Sequence, residues 1–286
     1  MHGRNTLQSM ASLQYIRYDL MHMTMNRFIL LAALLSFCAF SCAKPDNGGA
    51  DDSAPETPAT PELPLEFTVI GDSYSTYEGW NNAGNNGFAV YYPRTAVPDV
   101  TDVSHTWWHQ LHSTDEFELE KLNTYSGSVI SYRKGNVLEH GDKRSFLARL
   151  TRTDMGSPDV ILILGGTNDS WHNTDADLGE YKYEDIVQKD LSSFRPAFAW
   201  LLISLKKNYP NAKIYNITNS GRGGMDVGGL TQGVADSMEE ICRHLNVPNI
   251  ILPSTLDAGK TSRHPNKAGM KIIFDEVYSQ LKKDLL

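Results

Sequence analysis

The sequence predicts an α/β fold in which helices cover both faces of a parallel β-sheet. Strand-like apolar runs alternate along the chain with stretches of helical periodicity, which is typical of this class. The run Asp159–Gly165 (DVILILG) is continuously aliphatic, as expected of a strand that is buried on both faces. Hydrophobic residues make up 41% of the chain and aromatic residues 10%, which is enough for a substantial core.

An apolar stretch near the N-terminus indicates an export signal. Phe28–Phe40 (FILLAALLSFCAF) follows Arg27 and is shorter than the roughly 20 residues of a membrane-spanning helix. The small residues before Cys42 resemble a bacterial lipobox, so we expect lipidation of Cys42 and a membrane anchor. A plain secretory signal with a chance cysteine is the alternative. Residues 1–24 precede this signal, which favours a start at Met25.

Residues 1–42 are therefore assigned to the signal region and residues 43–64 to a flexible tether. The tether is rich in Pro, Asp, Gly and Thr and has almost no large apolar residues. One domain then occupies residues 65–286. Its only cysteine is Cys242, so we expect neither an internal disulfide nor a cysteine-based metal site. The net charge of −8 and the lack of a basic run argue against a nucleic-acid partner.

Five strands and four helices are predicted along this domain. The last helix has one apolar face at helical spacing, and the alternating run at residues 117–123 is the weakest strand, expected at an edge. The predicted strands are Leu65–Gly71, Phe117–Asn123, Asp159–Gly165, Lys213–Thr218 and Asn249–Leu252. The predicted helices are His105–Ser113, Asp185–Asn208, Leu230–Leu245 and Lys267–Leu285.

Polar loops follow several of these strands and are expected to share one edge of the sheet. Ser73 follows the first strand, Asn168 the third, and the glycine-rich segment Ser220–Gly224 the fourth. Sites in parallel sheets lie outside the carboxyl ends of the strands. His264 stands in a loop directly before the last helix. The sequence therefore predicts a site in which these loops meet.

The residue types in these loops suit nucleophilic catalysis. Ser73 is a candidate nucleophile, and His264 is a candidate base because an imidazole titrates near neutral pH. The side-chain amide of Asn168 and the backbone N–H groups of Ser73 and Gly127 are candidate donors to an oxyanion. The structural alternatives are that Ser73 caps a helix and that Asn168 and His264 only form turns.

Four short blocks carry a family resemblance. GDSY at residues 71–74, NTYSG at 123–127, GGTND at 165–169 and HPNKAG at 264–269 resemble the four blocks of the SGNH (GDSL-type) hydrolases, in the same order. The resemblance implies a flavodoxin-like, three-layer α/β/α sandwich with a five-stranded parallel sheet. It also implies metal-free and cofactor-free hydrolysis of esters or thioesters, with Ser73, Gly127, Asn168 and His264 in the site.

One position departs from the family pattern. Where the family has an Asp three residues before the histidine, this chain has Thr261. A backbone carbonyl or Thr261 itself is one candidate to orient the imidazole, and Asp257 is another. The third interpretation is a weak or inactive relative, because loss of the orienting acid costs orders of magnitude in rate.

A long insert follows the first strand and supplies candidate substrate-binding residues. It spans Glu78–Ser104 and contains Trp80, Tyr91 and Arg94, and the opposite loop contributes Trp171 and His172. These aromatic rings either stack on sugar rings or pack the insert onto the domain. Of the adjacent pair at residues 107 and 108, at least one tryptophan should be buried. The histidines at 105, 109 and 112 are read as a solvated helix face, so no metal is expected.

These observations predict an exported serine esterase, lipid-anchored to a bacterial membrane, that removes short acyl groups such as acetyl from a glycan. The alternatives are a lysophospholipase or thioesterase, and a non-catalytic glycan-binding surface lipoprotein. An acylated glycan or another small ester would be the partner, besides the membrane. We expect activity to rise with pH through the pKa of His264, near 6.5 if that pKa is unperturbed.

Overall fold

A computed structural model of the 286-residue chain describes residues 62–80, 90–132, 145–150, 154–172 and 177–286. All of them belong to one compact unit, Ala59–Leu286. The predicted signal region, Cys42 and most of the predicted tether lie outside the described residues, as does the side chain of His172. Within the described ranges, no helix has both the length and the apolar character needed to cross a membrane.

The core of the unit is a five-stranded sheet in which all neighbouring strands run parallel. The strand order is β2-β1-β3-β4-β5, the order of flavodoxin-like doubly wound folds. The predicted fold is therefore confirmed, and the weak second strand lies at an edge as expected. The strands are β1 (Leu65–Gly71), β2 (Phe117–Thr124), β3 (Val160–Leu164), β4 (Lys213–Thr218) and β5 (Asn249–Ile251).

Helices cover both faces of the sheet. The described helices are α1 (Trp107–His112), α2 (Phe146–Leu150), α3 (Thr167–His172), α4 (Phe194–Asn208), α5 (Gln232–His244) and α6 (Lys267–Leu285). One core cluster joins Ile161 and Ile163 of β3 to α2, α4 and α5. The other joins the remaining β3 side chains to α1 and α6 and includes Trp107 and Trp108, both fully buried. Successive β3 side chains thus pack into the two core clusters on opposite faces of the sheet, which explains why this strand is continuously aliphatic.

The boundaries differ from the prediction in one long helix. The predicted helix Asp185–Asn208 begins only at Phe194, and a short 3₁₀ turn occupies Gln188–Ser192. The Asp190 carboxylate accepts the backbone N–H of Val187 at 3.0 Å and the Lys182 ammonium at 2.6 Å. These local bonds stabilise a turn at residues 187–190, so the helix begins only after it.

Three short elements at the edges of the sheet were not predicted. Helices α2 and α3 have 5 and 6 residues, too few for a periodic pattern. The antiparallel pair β6 (Lys260–Thr261) and β7 (His264–Pro265) forms a hairpin with a two-residue loop. This hairpin carries His264 toward the carboxyl edge of the sheet, where β1 and β3 end.

Candidate active site

The candidate nucleophile sits on a tight turn directly after β1. Asp72 caps this turn by accepting the backbone N–H of Tyr74 at 3.0 Å. The glycine at 71 is required for space, because an added Cβ would lie 2.7 Å from the Ser75 side chain. The central strand β1 thereby places Ser73 at the edge of the sheet, and only 5% of its surface is exposed.

His264 faces Ser73 across a short gap. Its Nε2 lies 2.9 Å from the Ser73 Oγ, and its Nδ1 lies 3.1 Å from the Ser262 carbonyl oxygen. A carbonyl only accepts hydrogen bonds, so the proton of the neutral ring is assigned to Nδ1. The unprotonated Nε2 is then free to accept the Ser73 hydroxyl proton, which is the arrangement of a nucleophile and its base.

The two-residue loop of the hairpin supplies the carbonyl that holds the histidine. Ser262 and Arg263 have φ values of 51° and 67°, the left-handed backbone that a type I′ turn requires at both central positions. Side chains usually avoid this conformation, so contacts from outside must maintain it. The Tyr74 hydroxyl lies within hydrogen-bond distance of the carbonyl oxygens of Arg263 (2.8 Å) and Gly228, and the Ser262 hydroxyl donates to the Ala96 carbonyl at 2.9 Å.

The environment keeps His264 uncharged. Burial disfavours the charged imidazolium and lowers the pKa of His264 to about 4, while the Ser262 carbonyl opposes this shift. The positive charges of Arg94 and Lys260 lower this pKa further. The sequence-based expectation of a pKa near 6.5 assumed an unperturbed imidazole, and the imidazole of His264 is perturbed by its burial. His264 is therefore neutral and competent as a base well below pH 7.

Asn168 and Gly127 lie on two loops that are bonded to each other. The Asn168 amide donates to the Ser128 carbonyl at 2.9 Å, which leaves the second N–H of the same amide to aim elsewhere. Gly127 has φ of 77°, and an added Cβ would meet nothing within 4 Å. The backbone conformation at position 127 therefore explains why this residue is glycine, and local crowding does not.

Asp169, the residue after Asn168, joins the start of α3 to the loop after β2. Its buried carboxylate accepts the backbone N–H of Ile130 at 2.7 Å and both the N–H and the hydroxyl of Ser131, at 3.0 and 2.7 Å. Desolvation by burial raises the pKa of Asp169, and these three donors oppose the shift. The loop after β2 and the start of α3 are thus one bonded unit that holds Asn168 in place.

The predicted substrate-binding residues divide into two groups. The Tyr91 ring stacks on the His264 ring, with 3.5 Å between centroids and 8° between planes. The Trp171 ring lies edge-on to His264 at 6.4 Å, and the Arg94 guanidinium lies 5.2 Å from the Tyr91 ring centre. Trp80 packs instead on Trp108 and His109 of α1. The placement of the His172 side chain lies outside the described residues.

The two candidates for orienting the histidine have other partners. Asp257 forms an ion pair with Lys260 at 2.8 Å, and Thr261 is exposed and pairs with His264 through the hairpin backbone. The bond at the His264 Nδ1 goes to the Ser262 carbonyl. In the described part of the chain, no group of three or more His, Cys, Asp or Glu side chains is arranged to hold a metal ion.

Several residues that contribute to the site were not among the site residues predicted from the sequence. Tyr92 is buried, and its hydroxyl donates to the Pro265 carbonyl at 2.7 Å. The Tyr74 hydroxyl likewise donates to the Arg263 carbonyl in the hairpin loop. Arg149 is buried under the turn and donates to the Gly71 carbonyl at 3.0 Å. The sequence offered two signals for these roles: the adjacent tyrosines Tyr91 and Tyr92 in a polar insert, and Tyr74 directly after the GDS motif. Tyr74, Tyr92 and Arg149 bond partners that are 26 or more residues away along the chain. Such contacts cannot be read from a single sequence.

The family model for the GDSL-like lipase/acylhydrolase domain matches residues 65–281. The chain belongs to this family. The family is the SGNH hydrolase class that the four sequence blocks indicated, and its members hydrolyse ester bonds. This protein is accordingly a hydrolase of carboxylic esters.

Solved structures of similar proteins agree with this assignment. A candidate GDSL-like lipase from Bacteroides uniformis ATCC 8492 is 39% identical, with a TM-score of 0.66 over 77% of this chain and 96% of that one. Another, from Bacteroides ovatus ATCC 8483, is 35% identical, with a TM-score of 0.66 over 78% of this chain and 100% of that one.

A more distant structure shares the fold alone. A family two carbohydrate esterase from Clostridium thermocellum, solved with cellohexaose, is 17% identical, with a TM-score of 0.50 over 79% of this chain and 66% of that one. No curated protein matches the chain.

Proposed function

We propose that this GDSL-like hydrolase removes short acyl groups, such as acetyl, from a carbohydrate through an acyl-enzyme intermediate. The observation that carries the mechanism is the 2.9 Å contact between the Ser73 Oγ and the unprotonated His264 Nε2. Ser73 attacks the ester carbonyl while His264 takes its proton. The Asn168 amide and the backbone N–H groups of Ser73 and Gly127 stabilise the oxyanion.

The second half of the reaction uses the same groups in reverse. The imidazolium formed on His264 protonates the departing sugar alcohol as the tetrahedral intermediate collapses to an acyl-serine. His264 then takes a proton from water, which attacks the acyl-serine and releases the acid. The low pKa of His264 makes the imidazolium a strong acid for the leaving alcohol, and its burial excludes competing solvent.

The surroundings of the two residues support a short acyl group and a sugar. Tyr91, Tyr92 and Trp171 crowd the His264 ring, with centroids between 3.5 and 6.5 Å away, which leaves little room for a long acyl chain at this face. Trp171 is half-buried, so part of its ring is exposed beside His264. A partly exposed aromatic ring beside the catalytic residues suits stacking on a sugar ring. The fold is also one on which a carbohydrate esterase is built.

We also propose that the enzyme is exported and lipid-anchored through Cys42. The support is the apolar stretch at residues 28–40 and the small residues before the cysteine. The test is expression of the full chain in a bacterium with a labelled fatty acid. Cys42→Ser should abolish labelling and release the domain from the membrane fraction, whereas retained labelling would refute lipidation at Cys42.

The test of the activity compares acyl lengths and alcohols. The domain from residue 65 should cleave p-nitrophenyl acetate faster than butyrate or octanoate, and should release acetate from an acetylated oligosaccharide. Ser73→Ala should abolish both reactions, and EDTA should change neither. Preference for octanoyl or for an acyl thioester would instead favour the lysophospholipase or thioesterase alternative. Binding of the oligosaccharide without cleavage of any ester would favour the non-catalytic lipoprotein.

A further inference from the structure

His264 has weaker in-plane support than a histidine held by a carboxylate. Its Nδ1 bonds to one neutral carbonyl, that of Ser262, which is only two residues away in the same turn. This turn consists of two non-glycine residues in the left-handed region. A hydrogen bond to a neutral acceptor is about half as strong as one to a carboxylate, and it leaves the tilt of the ring about that bond poorly determined. Another contact must fix the plane of the imidazole.

The Tyr91 ring provides such a contact. It lies parallel to the imidazole at van der Waals distance, with 3.5 Å between centroids and 8° between planes. The imidazole therefore cannot tilt toward Tyr91 without a clash. The Trp171 ring is edge-on to the imidazole at 6.4 Å, and the Tyr74 ring is tilted to it at 5.4 Å. These rings bound the motion of the imidazole.

The backbone of Tyr91 is fastened to the nucleophile turn. Its N–H donates to the Thr76 Oγ1 at 2.8 Å, and the Thr76 hydroxyl in turn donates to the Ser73 carbonyl at 3.2 Å. The next residue, Tyr92, donates its hydroxyl to the carbonyl of Pro265, directly after His264. The pair Tyr91–Tyr92 thus connects the loop of the nucleophile to the hairpin of the base by short bonds to both.

A positive charge backs the tyrosine ring. The Arg94 guanidinium lies over the Tyr91 ring, 5.2 Å from its centroid. A cation over an aromatic face attracts the ring and holds it in place. The Tyr91 ring thus contacts both Arg94 and His264, and these three side chains are called the column.

We propose that Tyr91, backed by Arg94, is a positioning residue that holds the plane of the catalytic imidazole in place of the missing orienting acid. This inference rests on the esterase function proposed above. Tyr91 acts through His264, so its ring face is used by the enzyme and not by the sugar. The long insert after β1 then serves to align the nucleophile with its base.

A second stack in the molecule provides a matched control. Tyr183 and His244 stack with 3.6 Å between centroids and 7° between planes, nearly the geometry of Tyr91 on His264. His244 is an exposed residue at the end of α5, and Tyr183 packs against the core cluster of α2, α4 and α5, whereas Tyr91 packs against the other cluster. Removal of the Tyr183 ring therefore tests the loss of a tyrosine–histidine stack without any effect on Ser73.

The charged and titratable groups around His264 determine how its titration responds. Burial and the two cations favour the neutral ring, and the phenols stay uncharged because burial raises their pKa. Loss of the Tyr91 ring admits water to one face of the imidazole, so the pKa of His264 should rise. The groups concerned are Tyr74, Tyr91, Tyr92, Arg94 and Lys260.

The experiment compares Tyr91→Leu, Tyr91→Phe and Tyr183→Leu on p-nitrophenyl acetate between about pH 4 and pH 9. Tyr91→Leu should lower kcat by about 10- to 100-fold with KM changed less than about threefold, and should move the acid limb to higher pH. Tyr91→Phe keeps the ring and should stay within about threefold of wild type, as should Tyr183→Leu. Arg94→Met should move the acid limb upward by a smaller amount.

Three outcomes would overturn the proposal. Unchanged kcat on the small ester, with a raised KM on an acetylated oligosaccharide, would make Tyr91 a sugar-stacking residue. A loss in Tyr91→Phe equal to that in Tyr91→Leu would assign the effect to the hydroxyl. NMR titration of the His264 ring, with His244 in the same spectrum, is independent of turnover, and an unchanged His264 pKa in Tyr91→Leu would refute the column. If wild type cleaves no ester, the proposed function fails and the NMR titration still decides the role of Tyr91.

Discussion

The nucleophile and the base of this site are held in different ways. Ser73 follows a central strand, and the backbone of the sheet determines where it lies. His264 belongs to a six-residue hairpin whose loop has two left-handed residues and which pairs with no strand of the main sheet. Side chains from elsewhere hold this hairpin, among them Tyr74 and Tyr92. The half of the site that contains Ser73 is therefore the rigid half. Its tyrosines Tyr74 and Tyr92 support the weak half, which is the hairpin that contains His264.

The largest expected effect comes from breaking either half completely. Ser73→Ala and His264→Ala should each lower kcat by about 10⁴-fold or more, and the double variant should be no worse than the singles because the two residues act as a unit. Steady-state kinetics on p-nitrophenyl acetate measures this, with the exposed Ser104→Ala as control. A double variant whose loss equals the product of the single losses would show that the two residues act independently.

The oxyanion donor tests the rigid half alone. Asn168→Ala should lower kcat by about 10²- to 10³-fold with little change in KM, because the amide is needed when the oxyanion forms. The substitution also removes the bond to the Ser128 carbonyl, so thermal unfolding should be measured in parallel. A fall in kcat of only a few-fold, in a protein of unchanged Tm, would contradict this role.

A single hydroxyl connects the two halves and should have an intermediate effect. Tyr74→Phe removes the hydroxyl that bonds the Arg263 and Gly228 carbonyls, of which the Gly228 carbonyl keeps the Asn219 amide as a donor at 3.1 Å, and should cost about 1–3 kcal/mol of unfolding free energy. We expect kcat/KM to fall about tenfold because the hairpin that carries His264 loses support. The matched control is Tyr77→Phe, whose hydroxyl donates to the Thr101 carbonyl at an exposed site. Equal losses in both variants would mean that the hairpin does not depend on Tyr74.

The pH profile reports on the burial of the weak half. Only neutral His264 accepts the serine proton, so activity is lost as the pH falls through the pKa of the folded protein, which burial lowers to about 4. With respect to this group, kcat/KM should be flat between about pH 6 and pH 8 and should fall below about pH 5. A limb centred near 6.5, the value for an unperturbed imidazole, would show that solvent reaches the ring.

The smallest effect is expected at the acid that the sequence offered as an alternative. Asp257 is exposed and paired with Lys260, so Asp257→Asn should change kcat/KM by less than about twofold, as for a partly exposed ion pair. Thr261→Asp, which restores the family residue, should also have little effect, because the Ser262 carbonyl already occupies the Nδ1 position. A loss above about tenfold in Asp257→Asn would make Asp257 the residue that orients His264.

The sequence alone determined the parallel α/β fold, because buried strands and amphipathic helices have local periodicities. It also determined the edge of the sheet at which Ser73 and Asn168 lie, since sites follow the carboxyl ends of parallel strands. Short elements were missed for the same reason: α2, α3 and the hairpin are too brief to show a period.

Only the tertiary structure decided what holds the imidazole. The Ser262 carbonyl is a backbone group, and any residue type at position 262 carries one, so no letter of the sequence records it. The stacking of Tyr91 on His264 joins residues 173 positions apart along the chain, and its aromatic ring looked equally suited to a sugar. Contacts of this kind depend on how separate loops converge in space, which local patterns of residues do not encode.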